Sequence, residues 1–161
     1  MRMEIDLPKF EKIRQEAEVA YKLIVKVKCP YFNDFVHFNS EGFEHLLFKK
    51  WNVTRPREDQ YMRLRLLPLA VKVLTLSHTM QEYKEAQVFV RRKSNSVWKQ
   101  AMKPVKYYAF SAIINNALIK VIVRQVDNGQ RNFYSLIPKW RFEEKNGNKK
   151  RITHSGNPEE D

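Results

Sequence analysis

Three side chains able to do chemistry recur at four-residue intervals: Glu41, His45 and Lys49. Asn39 or Ser40 fits the N-cap position, and Phe43, Leu46, Leu47 and Trp51 fall on one side of a helical wheel. The spacing therefore predicts a helix from about 40 to 51 with Glu41, His45 and Lys49 on successive turns of its other side. Such groups suit RNA cleavage without a metal, because the substrate supplies its own nucleophile. A base takes the 2′-hydroxyl proton, an acid protonates the leaving 5′-oxygen, and cations stabilise the phosphorane charge. His, Lys, Arg, Tyr and Ser side chains suffice for these roles. A plain Glu41–His45 ion pair on an exposed helix explains the same spacing, and His37, on an extended stretch at 35–38, is a second candidate imidazole.

A sheet must hold the remaining candidates. Residues 105–114, 117–126 and 133–140 are rich in β-branched and aromatic types. Asn115-Asn116 suits a two-residue hairpin turn, and Asp127-Asn128-Gly129-Gln130 begins a second turn. The first turn predicts Ile114 opposite Ala117, with Phe110, Tyr108 and Ala112 facing Val121, Val123 and Ile119 on an apolar side. Ser111 then faces Lys120, and Tyr107 faces Arg124, on the other side. Pairing Val126 with Phe133 would set Arg124 beside Ser135, Ile122 beside Ile137 and Lys120 beside Lys139. One sheet face would thus gather Tyr107, Ser111, Lys120, Arg124, Ser135 and Lys139.

The elements before the sheet are mostly helical. Asp6 and Pro8 open a helix over 7–22 in which Phe10, Ile13, Ala17, Ala20 and Tyr21 follow helical spacing. A short extended piece at 23–27 precedes Pro30. A helix at 58–67 is expected to break at Pro68 before a nearly apolar stretch at 69–76, and 91–104 reads as a basic connecting loop. The predicted fold is α+β: N-terminal helices on one face of a C-terminal antiparallel meander of three to four strands, the opposite face basic. Residues 1–142 form the single domain and 143–161 a mobile polar tail.

Composition narrows the function. The net charge is +12, and residues 51–142 carry 17 Lys/Arg against 5 Asp/Glu. A positive field concentrated in the folded part is the footprint of polyanion binding, RNA foremost. A single cysteine, Cys29, excludes an intrachain disulfide and cysteine-rich zinc sites. With four glycines there is no phosphate-cradling loop, and carboxylates are not clustered for two-metal chemistry. His37 and His45 lack a third ligand, so neither metal nor cofactor is expected. No apolar run approaches the roughly 20 residues of a membrane span. The N-terminus lacks the apolar core of a signal peptide, which points to the cytoplasm and away from membranes.

The order of parts resembles the barnase–EndoU–colicin–RelE class of metal-independent RNases, in its phage and toxin-like branch. The residues that carry the likeness are Phe43-Glu44-His45-Leu46 with Lys49, Lys106-Tyr107-Tyr108, and the run from Phe133 to Lys139. The resemblance spans roughly residues 35–141. It implies that His45 is the general base or acid and Lys49 a phosphate ligand. Arg124, or Arg57, would stabilise transition-state charge, Ser135 would bond the scissile phosphate, and Tyr107 would transfer a second proton or stack on a base. It also implies a toxin neutralised by an acidic antitoxin protein. Arg57, Arg63, Ser111, Lys120, Lys139 and Trp140 are the expected RNA contacts. Two other functions fit the same charge: an RNA- or DNA-binding domain without catalysis, and a module docking an acidic protein.

Overall fold

Leu7–Ile24 forms helix α1, as its spacing predicts. The Asp6 carboxylate caps it by accepting from Lys9 N at 2.8 Å, and Phe10 and Tyr21 are its buried residues. Val25 then turns the chain at φ 61°, a strained conformation for a β-branched residue. Strands β1 (Lys26–Cys29) and β2 (Asp34–His37) follow as a hairpin. The chain is described here by a computed structural model covering residues 6–50, 53–145 and 148–153, with side chains at all of these except 50, 92–94, 139–145 and 148–153.

Helix α2 is shorter than predicted, Ser40–Leu47. The chain leaves it at Phe48 in extended geometry and enters β3 (Phe48–Lys50), which pairs with β4 (Val53–Thr54). Arg55 N donates to Leu47 O at 2.9 Å, so the end of α2 is satisfied by the returning strand rather than by another helical turn. Helix α3 is longer than predicted and runs unbroken over Arg57–Leu76. Pro68 is exposed within it, whereas Leu64, Leu67, Ala70, Val73 and Leu74 are buried on both sides of the proline. Burial of that continuous stripe outweighs the hydrogen bond the proline cannot donate.

The remaining strands are β5 (Glu82–Ser94), β6 (Val97–Ile114), β7 (Ala117–Val126), β8 (Arg131–Lys145) and β9 (Asn148–Thr153). The main sheet has seven strands in the order β1-β2-β8-β7-β6-β5, with β9 pairing β8 off that path. All described pairs are antiparallel except β2–β8, which meet at His37 and Asn132. The α+β class thus holds, with more strands than the expected three or four. The basic loop expected at 91–104 is instead the far half of a long β5–β6 hairpin. Its turn is Asn95-Ser96, both at positive φ (50° and 62°), and Ala86, Val88 and Val90 alternate with polar and exposed neighbours along β5. Backbone pairing also continues past Phe142 through β8 and β9, where a tail was expected; residues 154–161 lie outside the described residues.

The helices pack on one sheet face over Phe110, Ile119, Val121, Val123, Phe133 and Leu136. The other face has its own smaller apolar cluster of Val105, Tyr107, Ala109, Ile122 and Ile137, against which Val88, Val90 and Tyr134 pack. The β6–β7 register is the predicted one at every pair, including Ser111↔Lys120 and Tyr107↔Arg124. The β7–β8 register is not. Its loop closes early, with Gln125 opposite Arg131 and Gly129 N donating to Val126 O at 2.9 Å. Arg124 therefore faces Asn132; after one register shift Ser135 faces Ile122 and Ile137 rather than Lys139 faces Lys120, and a second shift lies beyond, between Ile119 and Leu118.

Candidate functional site

The edge of β8 between Asn132 and Trp140 pairs with no strand on its outer side among the described residues: β2 meets it only at Asn132, and β9 begins at Trp140. Helices α2 and α3 cover that stretch. Gly42 permits the approach of α2. A Cβ there would lie 2.5 Å from the Phe133 carbonyl oxygen, so any side chain would push the helix away. On β8 itself, one register shift falls between the pairs Ile122↔Ser135 and Val123↔Phe133, leaving Tyr134 as the extra residue of a bulge. The bulge aims Tyr134 at α2, where its ring stacks on His45 with centroids 4.2 Å apart.

His45 is therefore not on an exposed side of its helix; it is 7% exposed. Arg55 explains why an imidazole is tolerated there. Its Nε donates to His45 O at 2.9 Å, and its Nη2 lies 3.3 Å from His45 Nε2. A guanidinium has only donors, so Nε2 must accept, and its lone pair is engaged. From Arg55 the network continues to Asp59 (3.6 Å), from Asp59 to Arg63 (2.8 Å), and from Arg63 Nη1 to Ser135 Oγ (3.1 Å) and Leu136 O (2.8 Å). Arg63 thus supplies the hydrogen bond that a neighbouring strand would give to β8, and Ser135, 0% exposed, is one of its acceptors. Buried charges of this kind persist because each is paired and bonded.

Arg124 and Tyr107 complete the cluster around Tyr134. The Arg124 guanidinium lies over the Tyr134 ring at 5.4 Å and reaches the exposed Glu41 carboxylate at 3.8 Å, and the Tyr107 ring is 5.6 Å away. Burial, reinforced by Tyr107, pushes the Tyr134 hydroxyl up to about 12, against the partial opposition of Arg124. The phenol stays protonated at neutral pH and can donate but not abstract.

The structure thus brings His45, Tyr107 and Arg124 to one place, with Ser135 joined to it through Arg63, and it removes other expected members. Lys49 lies on β3, exposed, rather than one helical turn from His45, because α2 ends first. Lys120 is 2% exposed and ion-paired with Glu82, so the centre of that sheet face is apolar and neutralised. Ser111 sits apart, its N–H bonded to Gln81 Oε1, beside a groove also lined by Lys72 and His78. Arg57 opens α3 with its guanidinium 5.9 Å from the Phe10 ring, and Arg63 is a buried structural group rather than an RNA contact. The side chains of Lys139 and Trp140 lie outside the described residues. Among the described residues no three His, Cys, Asp or Glu converge as a metal site, and no helix is long and apolar enough to cross a membrane.

A second region carries exposed charge. Residues 86–104 contain five Lys/Arg and no acid. Register and alternation put Tyr83, Phe89, Arg91, Met102 and Trp98 on one face of the β5–β6 hairpin, while Ala86, Val88 and Val90 turn inward to the smaller core. Phe89 is 67% exposed and Trp98 57%, and Arg91 lies over the Trp98 ring at 5.3 Å. Arg91 and Lys99 are exposed, whereas Lys103 is tied to Asp127 at 3.5 Å. Gly42, Arg55, Asp59 and Tyr134 were missed from sequence because only a helix docked on a bulged strand gives them a role. The hairpin had a visible signal in Asn95-Ser96 between two alternating runs, masked by its density of charge. No family model, no curated protein and no solved structure matches the chain, so its likeness to the metal-independent RNases rests on the residues that suggested it.

Proposed function

We propose that the chain is an RNA-binding protein whose binding surface is the β5–β6 hairpin. One observation carries this reading: an acid-free stretch of the hairpin, residues 86–104, rich in Lys and Arg, holds Trp98 and Phe89 open to solvent beside Arg91, with Lys99 exposed on its other face. Cations neutralise phosphates and exposed rings accept bases, and RNA offers both. Titration of labelled RNA at rising salt tests it. Affinity should fall steeply and linearly on a log–log scale. Absence of binding at low salt, or tighter binding of DNA of the same sequence, would overturn the assignment. The same hairpin is the surface that an acidic neutralising partner would cover, and such a partner would compete with RNA.

Cleavage of RNA is the second reading, favoured by the convergence of Tyr134, Arg124 and Glu41. Glu41 is the exposed base of that set and Arg124 the cation for phosphorane charge, with His45 and Arg55 positioning Tyr134 from behind. The assay is incubation with RNA in EDTA. Cleavage that disappears in both Glu41→Gln and Arg124→Gln, with the fold retained, supports it. No products from the wild-type protein sinks it.

A further inference from the structure

The hairpin has more apolar ring surface than electrostatic binding requires. A strand pair that met only phosphates would be served by Lys and Arg, and its solvent face would lose nothing by being polar throughout. Here the outer face alternates Tyr83, Glu85, Gln87, Phe89 and Arg91 along β5, with Met102, Gln100 and Trp98 opposite. Phe89 faces Met102, which is 51% exposed, and Arg91 faces Gln100. These rings lie beyond the helices, which cover only the other end of this face. At about 3.3 Å per residue, Trp98 and Met102 are separated by about 13 Å along β6, so the Trp98 and Phe89 rings form two separate platforms. Arg91 lies against Trp98 and leaves the ring accessible.

From this face, and resting on the RNA-binding reading, we infer that the RNA held here is single-stranded, its bases stacked on Trp98 and Phe89. A duplex hides its base faces in its own stack, and its A-form major groove is too deep and narrow for side chains to read. Exposed rings would gain nothing from it. A single strand offers unpaired bases, and stacking on an aromatic side chain strengthens binding whatever the base, because every base has a π-face. Gln100, between the rings, and Gln87, on the far side of Phe89, can bond base edges or 2′-hydroxyls. An acidic protein surface would use the cations but would leave the two ring faces without a chemical counterpart.

The test compares a labelled single-stranded RNA with a duplex of the same sequence, using the full chain. Trp98→Ala and Phe89→Ala should each weaken single-strand binding about 5- to 100-fold and leave duplex binding unchanged. Trp98→Phe should retain most of the affinity, and Lys99→Ala should weaken both RNAs by a similar factor. Aromatic variants that weaken both RNAs alike, or neither, would overturn the inference, as would wild-type protein that binds duplex as tightly. It is also overturned if Trp98→Ala changes self-association in sedimentation and not single-strand affinity. Failure of the wild-type protein to bind any RNA removes the RNA-binding reading as well, which separates the two results. Circular dichroism on each variant establishes that the fold is kept.

Discussion

The cluster around Tyr134 and the outer face of the β5–β6 hairpin both combine arginine with aromatic rings, yet they differ in what surrounds them. In the first, His45, Arg55, Arg63 and Ser135 are buried and bonded to one another. In the second, Trp98, Phe89 and Arg91 meet solvent, as does Lys99 on the hairpin's other face. The same residue types therefore do opposite work. Buried, they close a strand edge and fix the position of two helices; exposed, they are available to a ligand. Residue type announces chemical capacity, and burial decides whether it is spent inside the molecule.

That contrast can be broken by mutation, since changes in the cluster should alter stability and changes in the hairpin should alter binding. The largest effect is expected from Arg63→Met. It strips Ser135 and the Leu136 carbonyl of their donor and leaves Asp59 without its closest partner, destabilising the protein by about 3–5 kcal/mol in urea unfolding. Gly42→Ala should follow at about 3 kcal/mol, because the new Cβ meets backbone that cannot yield freely. A near-neutral result for both would mean that α2 and α3 do not depend on the β8 edge.

Arg91→Ala combined with Lys99→Ala should leave unfolding unchanged. RNA affinity should drop about tenfold or more at low salt, and the salt slope should fall by roughly 1.4 as two phosphate contacts go. Equal loss of stability would erase the distinction between the regions.

The hydroxyl of Tyr134 gives a smaller effect. Its value in the fold, about 12, exceeds the ordinary 10, so the native state keeps a proton that the unfolded chain releases. Its contribution is therefore complete below pH 10 and is lost as pH rises toward about 12. Tyr134→Phe should move the alkaline unfolding midpoint upward, read by circular dichroism, with one fewer late-titrating phenolate in the ultraviolet titration, the buried Tyr21 remaining as another. Smallest is His45→Phe, which preserves the stack on Tyr134 and removes the acceptor of Arg55 Nη2, destabilising by about 1 kcal/mol. RNA affinity should stay at the wild-type level; a large loss would join the two regions into one site.

Much of the fold was legible in the residues themselves. Asp6 and the spacing of Phe10, Ile13, Ala17 and Tyr21 mark α1, and Asn115-Asn116 fixes every pair of β6 with β7. Both are local: a cap, a period and a two-residue turn leave one arrangement that puts the apolar side chains on one face. The candidate site was legible only in its parts. His45, Tyr107, Arg124 and Ser135 carry the right types, but their companions were misjudged wherever the geometry depended on something distant in the chain.

The sequence alone determined the α+β class, the charge and its concentration in residues 51–142, and the pairing of β6 with β7. Tertiary structure decided the rest. The loop of β7–β8 and the bulge at Tyr134 set which side chains face one another, and α2 stops at Leu47 because β4 returns to meet β3. Whether a cation is surface or core is likewise settled only by its neighbours: Lys120 lies buried against Glu82, while Arg91 stays open beside Trp98. Periodicity and turns act over a few residues and can be read along the chain. Burial and ion pairing act between segments far apart in sequence and exist only once those segments pack.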